Sequence, residues 1–120
     1  MKKKTLILGA SDRPDRYSFM ALKSLIRQGH PVIAIGKKTS VVDNVIIHEL
    51  PVKEEDIDTI TLYLSPKNQL PYYDFILSVK PKRVIFNPGT ENPELEELLQ
   101  SNDIQSFIGC TLVMLQTGQF

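Results

Sequence analysis

Short apolar runs alternate along this chain with longer segments whose apolar positions recur at helical spacing. Thr5-Leu6-Ile7-Leu8 is almost continuously apolar and stops at Gly9, the pattern of a strand buried on both faces. From Phe19 to Gln28, Ala21, Leu22, Leu25 and Ile26 share one helical face, and Gly29 ends the segment. Pro31-Val32-Ile33-Ala34-Ile35 predicts a second buried strand ending at Gly36. Val41-Val42 and Val45-Ile46-Ile47 predict a short edge strand, and Lys53-Glu54-Glu55-Asp56 reads as a solvated polar face.

The second half repeats the alternation. Thr59 to Leu64 predicts a strand, and Ser65-Pro66 is a helix-start signal because a cap residue precedes a proline suited to the first turn. The helix that follows is expected to end near Lys80 and to turn Leu70, Tyr73, Ile76 and Leu77 inward. Pro71 lacks a backbone donor and crowds the preceding turn, which predicts a kink there or a helix that begins near it. Arg83-Val84-Ile85-Phe86 predicts another strand. Asn92-Pro93-Glu94 opens a helix with a capping side chain, a proline and an acid at the positive end of the dipole. Ser106-Phe107-Ile108 is a short last strand and Thr111 to Gln116 a terminal helix.

Strands alternating with helices imply βαβ units with right-handed crossovers. The expected fold is α/β, a Rossmann-like open parallel sheet of about five strands with helices on both faces. A chain of 120 residues falls in the size range of one domain, so residues 1–120 are expected to form a single one.

The formal net charge is zero, which removes any overall pull toward nucleic acid or acidic membranes. No stretch approaches the roughly 20 apolar residues needed to span a bilayer. Lys2-Lys3-Lys4 precede an apolar run too short for a signal-peptide core, so a cytoplasmic location is expected. Cys110 is the single cysteine, which excludes an internal disulfide, and no metal-ligand spacing occurs.

In open parallel sheets ligands bind beyond the carboxyl ends of the strands, so the loops there carry the candidate chemistry. The first, Gly9-Ala10-Ser11-Asp12-Arg13-Pro14-Asp15-Arg16-Tyr17-Ser18, occupies the place of the phosphate cradle in dinucleotide folds. It departs from G-x-G-x-x-G, since Ser11 stands where the second glycine would. Arg13, Arg16 and the hydroxyls of Ser11 and Ser18 offer charge-assisted hydrogen bonds to phosphate instead; as structure alone the loop is a solvated polar turn.

The second loop, Gly36-Lys37-Lys38, stands where an NAD-binding fold carries an acid for the ribose hydroxyls. Two lysines there attract an additional phosphate on an adenosine ribose, which favours coenzyme A or NADP over NAD; the alternative is an exposed pair with no role. The third region is Leu64-Ser65-Pro66. The fourth, Asn87-Pro88-Gly89-Thr90-Glu91-Asn92-Pro93, is a turn and helix cap whose Gly89 and Thr90 also offer donors to a polar ligand. His30 and His48 are not expected in these loops, and no serine or cysteine has a base partner in sequence. Cys110 reads as a small core thiol.

The first loop, the Asn87–Pro93 segment and Cys110-Thr111-Leu112-Val113 together resemble the small stand-alone CoA-binding domain proteins of bacteria, over nearly the whole chain. That family is similar to the nucleotide-binding domain of the succinyl-CoA synthetase alpha subunit. The resemblance implies coenzyme A or acyl-CoA lying across the strand ends. Ser11, Arg13, Arg16 and Ser18 would face the phosphates and Lys37 and Lys38 the adenosine end, with Gly9, Tyr17 and Gly36 as further cofactor-binding candidates in the same loops. Leu64, Ser65 and Pro66 would border the pantetheine arm, with Asn87, Gly89 and Thr90 closing that border.

The synthetase's phosphate-carrying histidine domain has no counterpart here, so binding without catalysis is the expectation. An NADP-linked or other nucleotide-dependent enzyme is the alternative. A homodimer, or a separate catalytic subunit docking on Leu112-Val113-Met114-Leu115, is a third possibility.

Overall fold

The computed structural model describes residues 2–120. Seven strands form one sheet: β1 (Thr5–Ala10), β2 (Val32–Gly36), β3 (Ser40–Val42), β4 (Val45–His48), β5 (Thr59–Leu62), β6 (Arg83–Phe86) and β7 (Gln105–Ile108). Five α-helices surround it: α1 (Tyr17–Arg27), α2 (Pro66–Gln69), α3 (Tyr73–Val79), α4 (Pro93–Ser101) and α5 (Thr111–Gln116). The strand order is β3-β4-β2-β1-β5-β6-β7, and every pairing except β3 with β4 is parallel. The Rossmann-like α/β reading therefore holds, with seven strands where about five were expected.

The extra strands lie in the segment expected to give one edge strand. Val42 and Val45 pair across a two-residue turn, making an antiparallel hairpin. Asp43 and Asn44 both take left-handed backbone angles, φ 48° and 67°, the requirement of a tight hairpin turn matched to strand twist. Val42 and Ile47 are buried while Val41 and Ile46 face solvent, so the hairpin has a polar-facing and a core-facing side.

The central strands are mainly apolar because both faces are covered, with Thr5, Thr59 and Thr61 as buried polar exceptions. Leu6, Leu8, Ile60, Leu62, Val84 and Phe86 pack with Ile76 of α3 and Leu95 and Leu99 of α4. On the other face, Ile7, Ala34 and Ile47 pack with Leu22 and Leu25 of α1 and Leu115 of α5. The terminal apolar run is thus divided, with Met114 and Leu115 buried and Val113 exposed.

Pro71 acts by breaking the helix. α2 makes one turn, a 3-10 turn spans Leu70–Tyr72, and α3 then starts afresh. The break rotates Leu70 outward to 60 % exposure, correcting its expected inward position, whereas Ile76 is buried and Tyr73 and Leu77 pack against the core. The strand expected to reach Leu64 stops at Leu62, and the helix expected from Phe19 begins two residues earlier, at Tyr17.

Helix termini follow local chemistry. Asn92 caps α4 by accepting the Leu95 N–H at 3.3 Å. The α1 C-terminus closes with His30 N–H on Leu25 O and Gly29 N–H on Ile26 O, each at 3.0 Å.

Candidate functional site

The chain leaves β1 toward β2 and β4 on one side, then crosses back to β5 on the other. Oppositely directed crossovers leave a crevice at the carboxyl end of β1, where doubly wound sheets take their ligands. An open cleft of about 450 Å³ lies there. It gathers Gly9, Ser11, Arg13, Arg16 and Ser18 from the first loop and α1, Lys37 and Lys38 from behind β2, and Leu64 and Ser65 from behind β5.

Gly9 shapes the floor. Its φ of +101° lies outside the range of most side chains, and a Cβ there would sit 2.9 Å from the Tyr63 carbonyl carbon. The register with β2 slips at this residue, so Ala10 pairs with Gly36. A Cβ on Gly36 would fall 2.3 Å from the Ala10 carbonyl oxygen, so Gly36 serves strand contact and does not line the cleft.

Beyond Gly9 the loop folds back on itself. Ser11 Oγ accepts the Arg13 N–H at 3.1 Å, and the Arg16 N–H donates to Arg13 O at 3.0 Å. Arg16 is the N-cap of α1 in an extended conformation, with no side-chain cap and no acid in the first turn. The first turn of this 11-residue helix thus has its N–H groups uncapped by any side chain, and Arg16 and Ser18 at that end line the cleft.

The lining carries four cations, Arg13, Arg16, Lys37 and Lys38, against one carboxylate, Asp12, on a chain whose net charge is zero. Arg13 Nη2 meets Asp15 at 3.4 Å with both side chains well exposed, a pair that water screens strongly. Among the described residues Arg16 and Lys37 make no ion pair. The site suits a polyanion such as a diphosphate.

Asp12, Ser40, Tyr63 and Asn68 also line the cleft and were not singled out from sequence. Ser40 Oγ donates to Asp12 Oδ2 at 2.7 Å, and Lys38 Nζ lies 4.0 Å from the same oxygen. The Ser40 hydrogen bond, with help from Lys38 and Arg13, holds the Asp12 carboxyl below its ordinary range. Asp12 was visible in the loop, but Ser40 belongs to the ambiguous hairpin, so their meeting had no sequence signal. Burial, with a smaller push from Cys110, raises the Tyr63 phenol to about 12, so it stays protonated as a hydrogen-bonding wall.

The remaining sequence candidates lie outside the lining. Tyr17 is 69 % exposed at the start of α1, and Pro66 is exposed at the start of α2. Asn87 is buried, and its amide donates to Thr61 Oγ1 at 2.7 Å and Leu62 O at 2.8 Å. Its Oδ1 accepts the Thr111 N–H at 2.8 Å. Thr90 Oγ1 donates to Asn87 O at 2.7 Å, and Gly89 N–H donates to Glu91 Oε1 at 2.9 Å. Gln69 extends the network by donating to Leu64 O and Thr90 O, each at 2.8 Å. These polar groups brace the strand ends from beneath.

The two histidines lie away from this chemistry. His30 Nδ1 accepts the Lys3 N–H at 3.0 Å and its ring meets Phe120 edge-on, while His48 ends β4. Among the described residues no three acids, histidines or cysteines converge as a metal site, and no helix is long and apolar enough to cross a membrane.

A family model for the CoA binding domain matches residues 3–116. The chain belongs to the CoA-binding domain family. Binding of coenzyme A is thus the ligand class of its family, and the cleft lies within the matched region.

Solved structures agree on the fold. A crystal structure of an uncharacterized protein is 52 % identical over 100 % of this chain and 99 % of its own, with a TM-score of 0.97. A Pyrococcus furiosus conserved hypothetical protein matches at 26 % identity over 94 % of this chain and 98 % of its own, with a TM-score of 0.77. A Thermus thermophilus protein shares the fold at 21 % identity, covering 99 % and 91 % of the two chains, with a TM-score of 0.85. No functionally curated protein matches the chain.

Proposed function

We propose that this CoA-binding domain holds coenzyme A or acyl-CoA across the carboxyl ends of β1, β2 and β5 and acts as a binding module, sensing or regulatory, without a reaction of its own. The observation that carries the reading is the pairing of an uncapped helix N-terminus with four cations in one cleft at the strand-order reversal. The diphosphate sits between Ser11, Arg13, Arg16 and the first N–H groups of α1. Lys37 and Lys38 meet the phosphate on the adenosine ribose. The pantetheine arm runs along Leu64 and Ser65 toward solvent. The lining supplies cations, hydroxyls, a phenol kept protonated and an acid kept ionised, a set suited to holding an anion and poor in groups that shuttle protons near neutral pH.

Isothermal titration with CoA, dephospho-CoA, NAD, NADP and ADP tests this directly. CoA is expected to bind tightest, with dephospho-CoA about tenfold weaker or more for loss of one phosphate contact pair. Replacing Lys37 and Lys38 together by alanine should erase that difference and leave dephospho-CoA binding nearly unchanged. Tightest binding of NADP, with a nicotinamide absorbance change on a substrate, would replace this reading with an oxidoreductase.

A further inference from the structure

In dinucleotide folds the acid that accepts the ribose hydroxyls comes from the end of the second strand. Here β2 ends at Gly36 and lysines follow, yet an acid still reaches this end of the cleft, from the first loop. Asp12 Oδ2 is fixed by Ser40 Oγ at 2.7 Å and stands 4.0 Å from Lys38 Nζ. Asp12 is 31 % exposed and Lys38 74 %, so both open onto the cleft. Among the described residues no other residue donates to Asp12 Oδ1.

A lone acid reads a diol, accepting from its hydroxyls and repelling any phosphate placed on them. A lone lysine reads a phosphate and is indifferent to the neighbouring oxygen. An anchored carboxylate and an ammonium a few ångströms apart recognise a different object, a phosphate beside a free hydroxyl. Each group then discriminates against the wrong substituent at the other's position, because a like charge held in contact or an unmade hydrogen bond is costly.

We propose that Asp12 and Lys38 together read a monophosphorylated ribose, Lys38 taking the phosphate and Asp12 Oδ1 accepting the adjacent hydroxyl. This rests on the reading that the cleft holds a phosphorylated adenosine. It adds a hydroxyl-reading residue and a reason why an acid stands inside a phosphate site. Ser40 is a positioning residue, since its hydroxyl orients the carboxylate that touches the ligand.

Titrations with adenosine 3′,5′-bisphosphate and its 2′-deoxy counterpart isolate the hydroxyl. The wild-type chain is expected to bind the hydroxyl-bearing ligand about tenfold tighter, the usual scale of one hydrogen bond to a charged group. Asp12→Ala should bring that ratio close to one. Lys38→Ala should keep the ratio while weakening both ligands relative to adenosine 5′-monophosphate. Ser40→Ala should give an intermediate ratio, and circular dichroism of each variant checks that it folds.

A wild-type ratio near one, or a ratio that survives Asp12→Ala, overturns the proposal even if CoA binds tightly. Failure of the wild-type chain to bind any adenosine bisphosphate or CoA overturns the underlying reading instead.

Discussion

Asn87 is the residue whose sequence context and tertiary position point to different roles, and replacing it by alanine separates them. The substitution deletes three hydrogen bonds, to Thr61 Oγ1, to Leu62 O and from the Thr111 N–H. Thr61 Oγ1 keeps Thr111 Oγ1 as a partner at 2.7 Å, so two groups lose their partner, the Leu62 carbonyl and the first N–H of α5. Asn87 itself is 1 % exposed, so water does not replace these bonds freely. Each orphaned group costs roughly 1–3 kcal/mol, which sets the loss at about 3 kcal/mol. Unfolding entropy near 2.1 cal/mol/K per residue converts this to a fall in Tm of roughly 12 °C for a chain of this length. Differential scanning calorimetry measures the shift, and titration at low temperature measures CoA affinity of the folded form. The expected outcome is a large Tm loss with affinity changed less than about twofold. A Tm within about 4 °C of wild type, with affinity down tenfold or more, would refute the reasoning and place Asn87 against the ligand.

Other consequences are equally direct. Gly9→Ala should cost roughly 3 kcal/mol by denaturant unfolding, because φ +101° strains alanine and the Tyr63 backbone blocks its Cβ; an unchanged midpoint would contradict the close approach. Lys80 ends α3 at φ 52°, so Lys80→Gly should stabilise the chain by about 1 kcal/mol, seen as a raised urea midpoint at constant slope. Burial first, then Lys2 and Lys3, push the His30 imidazole below its ordinary 6.5. Its neutral form is therefore favoured by folding: that contribution is present above pH 6.5 and is lost as pH falls through the depressed folded value. Urea midpoints between pH 7.5 and 5 should drop less in His30→Gln than in wild type; equal drops would show that His30 is not responsible.

How far the sequence reaches depends on whether a feature is set by neighbours along the chain. Buried strands such as Leu6–Leu8 and Val84–Phe86 declare themselves because both faces must be apolar. The Asn92 cap and the break at Pro71 are equally local, since one side chain or one missing N–H decides them. The lysines behind β2 and the arginines before α1 were legible as cleft residues because strand-end loops converge in any parallel sheet.

Tertiary structure decided the rest. The hairpin of β3 and β4 has weak patterning, and only its placement beside β2 brings Ser40 to Asp12. Leu70 looked inward on an unbroken helix and turned outward once the 3-10 turn rotated the chain. Asn87 and Thr90 carry the same donors and acceptors whether they face a ligand or the chain itself. The direction of Asn87 depends on Thr61, Leu62 and Thr111, which are distant in sequence and meet it only when the sheet is assembled, and the Thr90 hydroxyl in turn donates to Asn87 O. Short-range sterics and hydrophobic period write the elements into the sequence, while the long-range partners of a buried polar group such as Asn87 are fixed by packing across the sheet.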